Sequence, residues 1–146
     1  MRLKHLFLLL LAFSSFGCRV PLFPTHIRME KCDLVPSERL FNTNQFAPKP
    51  SDGELVVIRD VGYEGAGFYL PVKIDSVRFA DMRVWEKATA SLAPGIHKIT
   101  YEEPAMLFSV GKRPYDSLEI EVTPGSRSII RIDLGRKYPP IRQSQD

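Results

Sequence analysis

From Glu54 onward, apolar and polar positions follow the period of strands rather than helices. Glu54-Leu55-Val56-Val57-Ile58-Arg59-Asp60 is a β-branched run bounded by Gly53 and Gly62, and it predicts a first strand. Phe68, Leu70, Val72 and Ile74 alternate with Tyr69, Pro71, Lys73 and Asp75, which places four apolar side chains on one face of a second strand. Pro71 has no N–H to donate to a ladder and predicts an edge or a bulge there. Asp75-Ser76 reads as a two-residue turn into a strand over 77–80, and residues 84–92 form the next candidate, ending at Pro94-Gly95.

Beyond that turn, His97, Ile99 and Tyr101 share one face while Ile96, Lys98 and Thr100 share the other, so either face can be the inward one. Residues 106–110 are apolar but short, a sixth strand or none. Leu118, Ile120 and Val122 alternate with Glu119 and Glu121, and after Thr123-Pro124-Gly125 a last strand over 128–134 closes the domain. Six or seven short strands separated by turn signals predict a compact antiparallel β-sandwich of about 80 residues over 53–134.

The flanks carry no such period. Residues 18–52 hold Pro21, Pro24, Pro36, Pro48 and Pro50 and read as a flexible tether, with a turn of helix at 37–41 and a fully extended reach on the order of 100 Å. Residues 135–146 are polar and proline-bearing, which predicts a disordered tail.

Residues 1–17 have the three parts of an export signal: Arg2 and Lys4, an apolar run over 6–13, then small residues before Cys18. Even extended to Phe16, the apolar run is about half of the roughly 20 residues that span a hydrocarbon core, so a permanent transmembrane helix is not expected. Ser15-Phe16-Gly17-Cys18 resembles a bacterial lipobox, which implies lipidation of Cys18 and a membrane anchor. Ser15 stands where a lipobox usually has an aliphatic residue. Ser15 and Gly17 also satisfy the small-x-small rule of ordinary signal peptidase, and a soluble periplasmic product can then pair Cys18 with Cys32. With Arg19 rather than aspartate after the cysteine, the resemblance to known sorting signals implies the outer membrane, facing the periplasm or the surface.

Composition narrows the function classes. The chain of 146 residues carries a net charge of +3, which falls to +1 once Arg2 and Lys4 are removed, and this leaves no electrostatic footprint for nucleic acid. Twelve prolines and nine glycines favour turns over long helices. Two cysteines are too few for a disulfide scaffold or a thiolate zinc site.

No constellation for catalysis, cofactor or metal stands out. His97 follows a tight turn and reads as a packed, hydrogen-bonded histidine. Gly62-Tyr63-Glu64-Gly65-Ala66-Gly67 lacks the helix and the lysine of a phosphate cradle. Tyr63, Phe68 and Tyr69 beside these glycines form a candidate binding loop for glycan or protein, or else fold over the end of the core. Trp85, the only tryptophan, lies between the charged Arg83 and Glu86 and reads as a core anchor in preference to an interface hot spot. The short cationic pairs Lys112-Arg113 and Arg136-Lys137 could touch anionic lipid or cell-wall polymer, but runs this short usually stay solvated.

Leu92-Ala93-Pro94-Gly95-Ile96-His97 and Val122-Thr123-Pro124-Gly125 echo one another as strand, Pro-Gly, strand. With Val72-Lys73-Ile74-Asp75-Ser76-Val77 before them, they resemble PEGA-type domains and related uncharacterised β-sandwich domains of bacterial envelope lipoproteins. That resemblance implies an Ig-like or transthyretin-like sandwich without catalytic residues. The expectation is therefore a non-enzymatic envelope lipoprotein, held to a membrane through Cys18 and presenting a sandwich to a protein partner or in a structural role. The alternative is a glycan- or peptidoglycan-binding module.

Overall fold

The computed structural model describes residues 27–61, 67–102, 116–134 and 141–144. Among these described residues nine strands form two sheets: β1 (Asp33–Leu34), β2 (Gly53–Arg59), β3 (Leu70–Ile74), β4 (Val77–Met82), β5 (Glu86–Leu92), β6 (Gly95–Tyr101), β7 (Ser117–Val122), β8 (Arg127–Ile132) and β9 (Ile141–Ser144). One sheet has the order β1-β5-β2-β8-β9 and the other β4-β3-β6-β7. The architecture is an all-β sandwich, in which β2–β8 and β1–β5 pair in parallel and the remaining neighbours antiparallel. The two-sheet sandwich is the fold class expected, with nine strands among the described residues in place of six or seven.

The core lies between the sheets. Leu55 and Val57 of β2, Ala88, Ala90 and Leu92 of β5, and Ile130 and Ile132 of β8 face Leu70, Val72 and Ile74 of β3, Met82 of β4, Ile99 and Tyr101 of β6, and Ile120 and Val122 of β7. The ambiguity at β6 resolves toward the Ile99 and Tyr101 face, leaving Ile96 74% exposed. The alternating residues of β2 and β8 are buried too. Val56, Ile58 and Ile129 form a second cluster on the outer face with Cys32, against which Ile27 and Met29 pack. Burial on both faces is the usual condition of parallel strands and accounts for the continuous apolar run of β2.

Much of the expected tether is therefore part of the fold. Residues 27–32 cover the outer face of β2 and β8, and β1 pairs with β5. Val35 N–H donates to the Lys87 carbonyl, Phe41 N–H to the Phe79 carbonyl, and Ser91 N–H to the Phe46 carbonyl. Phe46 meets Phe79 edge-to-face with centroids 5.2 Å apart. This stretch closes the open side between β4 and β5, where two sheet edges would otherwise stand unpaired. Its prolines hide it from periodicity because they prevent a long ladder. The expected helical turn is a 3-10 turn over Ser37–Arg39.

The expected tail differs in the same way. Residues 141–144 pair with β8 as β9 and bury Ile141, which gives the far edge of β8 a partner. Of the remaining expectations, the signal, Cys18, Tyr63 and the 106–110 segment lie outside the described residues. Among the described residues no helix is long and apolar enough to cross a membrane.

Asp75 and Ser76 both take positive φ, 50° and 71°, and join β3 to β4 in the two-residue hairpin expected. Pro71 lies at the start of β3, where its carbonyl accepts from Glu102 N–H, and the register shifts between Val72 and Lys73. β3 is nonetheless an interior strand, between β4 and β6. The two Pro-Gly turns join strands that do not pair with each other: Pro94-Gly95 carries the chain from β5 to β6 and Pro124-Gly125 from β7 to β8, each crossing between sheets. Gly125 at φ +67° and Gly95 at φ +145° occupy conformations costly for any other residue.

Candidate functional site at the aromatic end

The C-terminal end of β2 organises one end of the sandwich. Arg59 points between the sheets and is buried, so its guanidinium must find acceptors there. It donates to the Phe68 carbonyl at 2.7 Å and to the Met82 carbonyl at 2.6 Å, which fixes the approach to β3 and the exit from β4. Burial pushes its pKa down to about 10, opposed by the nearby Glu86 charge, so it remains a cation at neutral pH. The Arg59 carbonyl in turn accepts from Trp85 N–H at 2.9 Å.

Glu86, at the start of β5, gathers the second layer. Its carboxylate receives both terminal nitrogens of Arg39 and, at 2.7 Å, the Arg83 N–H. Desolvation favours the neutral acid, but the Arg39 hydrogen bonds together with the Arg83 N–H and the positive charges of both arginines outweigh it, and the pKa falls. Arg39 also donates to the Asp81 carbonyl at 2.8 Å.

Tyr69 lies between the two arginines. The Arg39 guanidinium is 5.0 Å from its ring centroid and that of Arg83 is 4.7 Å, while Arg83 also donates to the Tyr69 hydroxyl. Such contacts hold an aromatic ring upright without burying it. Tyr69 is 43% exposed and Phe68 48%, so neither folds over the core.

Trp85 was expected in the core and is 49% exposed. Glu86 N–H donates to the Arg83 carbonyl, closing a four-residue turn in which Trp85 takes φ +66° at the third position. That is the position where a type II turn calls for glycine. The turn crosses from β4 to β5, which is why the strand expected from 84 begins at Glu86. Arg39, Arg83 and Glu86 were not singled out by sequence; the only signal was charge on both sides of the lone tryptophan.

The outer edge of this same end receives the N-terminal segment. Asp60 and Arg131 form a buried ion pair at 2.7 Å, and Arg142 approaches the other Asp60 oxygen at 3.7 Å. Arg131 donates to the Ile27 carbonyl at 2.9 Å, and Ile27 N–H reaches Asp60 at 3.4 Å. Cys32 is buried close by, with its thiol pKa raised by desolvation.

His97 is at the opposite end. Its Nδ1 is 2.6 Å from Asp75 Oδ2 and its Nε2 is 2.8 Å from the Ala93 carbonyl. Two acceptors on one ring require both nitrogens to donate, which fits the imidazolium. Desolvation works against that charge, but the bonds to Asp75 and Ala93 prevail and the pKa is raised. The geometry locks a turn and leaves no ring nitrogen for a substrate. Among the described residues no group of three or more His, Cys, Asp or Glu gathers into a set able to hold a metal ion.

No protein-family model matches this chain, and no curated protein matches it.

Proposed function

We propose that this protein is an exported, non-enzymatic lipoprotein of a bacterial cell envelope, lipidated on Cys18 and presenting its sandwich to an envelope protein partner or in a structural role. The observation that carries this reading is the passage from Cys18 to the fold. Only residues 19–26 separate a cysteine at the end of a signal-like segment from Ile27, which Asp60 and Arg131 clamp to the sandwich. A lipid on Cys18 would thus hold the domain at a surface. Arg19 favours the outer membrane, and the resemblance to PEGA-type domains belongs to the same reading. The charged groups at the aromatic end bond to one another and to backbone carbonyls, an arrangement suited to shaping a surface rather than activating a nucleophile.

Intact mass of the mature protein tests the anchor. The expected species begins at Cys18 and carries added acyl mass. A species beginning at Cys18 without acyl mass and two hydrogens light would replace the anchor with a Cys18–Cys32 disulfide. For the partner, in-cell crosslinking is expected to recover an envelope protein.

One observation favours a second reading as a glycan or peptidoglycan module: Phe68, Tyr69 and Trp85 all stand exposed at one end. Retention of the protein on isolated sacculi, with no protein crosslinked, would select it.

A further inference from the structure

We infer that the aromatic end of the sandwich is a membrane-docking surface, and that its occupant is the anionic bilayer holding the Cys18 lipid. The inference rests on the lipoprotein reading above. Its geometric basis is that neighbouring residues tie the chain's entry point to the exposed aromatics. Asp60 meets Ile27, while Arg59 holds the Phe68 carbonyl with its side chain and the Trp85 N–H with its carbonyl. The point where the chain arrives from Cys18 and the aromatic rim are therefore on the same end.

The length of the intervening chain makes that placement matter. Residues 19–26 reach at most about 30 Å when fully extended, and a flexible coil of that length averages roughly 17 Å. The Pro-Gly end lies farther from the entry point by the length of a seven-residue strand, about 23 Å. The aromatic end is thus the end a short tether brings to the lipid surface.

The chemistry of the end suits a headgroup layer. The three exposed aromatic side chains among the described residues' large apolar groups, Phe68, Tyr69 and Trp85, are all there. Tryptophan and tyrosine favour the membrane interface, where an apolar ring and a polar tip are both accommodated. Arg83, exposed and stacked on Tyr69, supplies a cation for anionic headgroups. Trp85 adds an independent sign. The turn places a large apolar side chain in a glycine conformation and leaves half of it in water, a double cost that contact with lipid offsets.

The test uses the full mature protein, purified as the cell makes it and reconstituted into phosphatidylethanolamine–phosphatidylglycerol vesicles, with matched vesicles bearing brominated acyl chains. Because Trp85 is the only tryptophan, its fluorescence reports this end alone. With acyl mass present on Cys18, the expected result is a blue-shifted emission that brominated lipid quenches and aqueous iodide does not reach. The double variant Phe68→Ser, Tyr69→Ser, with unchanged circular dichroism, is expected to lose most of that quenching. An acylated protein whose Trp85 stays open to iodide and unquenched by brominated lipid overturns the docking inference while leaving the anchor intact. Stronger shielding of Trp85 by soluble peptidoglycan fragments than by vesicles also overturns it, in favour of glycan. A mature protein without acyl mass overturns the anchor, and the inference with it.

Discussion

At the scale of single residues, the described chain places four non-glycine residues at positive φ: Asn42, Asp75, Ser76 and Trp85. Asn and Asp tolerate this conformation because their short side chains bond locally, whereas Trp does not. Trp85→Gly is therefore expected to be more stable than Trp85→Ala by about 1 kcal/mol in urea denaturation, since both lose the indole and only glycine relieves the backbone. Equal stabilities would mean that the turn is unstrained. The His97–Asp75 pair carries a pH dependence whose sign follows from two opposite shifts. His97 has a raised pKa, so its contribution is complete below the unfolded value of 6.5 and is lost as pH rises through the folded one. For Asp75, desolvation pulls upward but the bonds from Lys98 N–H and His97 prevail, and the pKa is lowered. Its contribution is complete above 3.8 and is lost as pH falls through the folded value. Thermal melts of wild type and His97→Gln should thus differ most between about pH 4 and 6.5 and converge toward pH 8. A gap that widens above pH 7 would contradict the imidazolium.

At the scale of elements, turns set the fold as much as strands do. Ser76 occupies a hairpin position that favours glycine, and Ser76→Gly is expected to stabilise the protein by roughly 0.5 to 1 kcal/mol in equilibrium unfolding. Gly53 is the converse case, because a Cβ there would lie 2.6 Å from Val122 Cγ1 and 2.8 Å from the Thr123 carbonyl. The arch over 123–126 is bonded to this point, with Glu54 N–H donating to the Ser126 carbonyl. Gly53→Ala should lower the thermal midpoint, at a cost of about 1 to 3 kcal/mol for overpacking against backbone. Most strands were legible from sequence, since burial between two sheets imposes a period of two on β3, β5 and β7. β1 and β9 were not: one has two residues and the other is isolated by Tyr138-Pro139-Pro140, so neither is long enough to show a period. The Pro-Gly turns were legible as turns but not as crossings between sheets, because a local sequence does not record which strand its neighbour pairs with. The rim was legible only in Phe68 and Tyr69. The arginine partners of Tyr69 come from 30 positions before it and 14 after it, a proximity created by the fold.

At the scale of the whole molecule, the Asp60–Arg131 pair joins the N-terminal segment, the end of β2 and β8 at one buried point. Removing one partner of such a pair takes away the other's buried countercharge, so Asp60→Ala is expected to cost about 3 to 5 kcal/mol. Limited proteolysis should then cut near residues 27–32 before the strands are attacked; an unchanged cleavage pattern would show that the apolar contacts of Ile27 and Met29 suffice alone. The parallel union of β2 and β8 has a further consequence, in time rather than in space. Glu54 has its partner in Arg127 and Arg59 in Ile132, so β2 and β8 meet only after residues 60–126 between them have been made. Contacts this distant along the chain make folding slow. An emerging polypeptide with such a fold keeps β2 waiting for β8, and the central sheet closes only when that distant strand arrives.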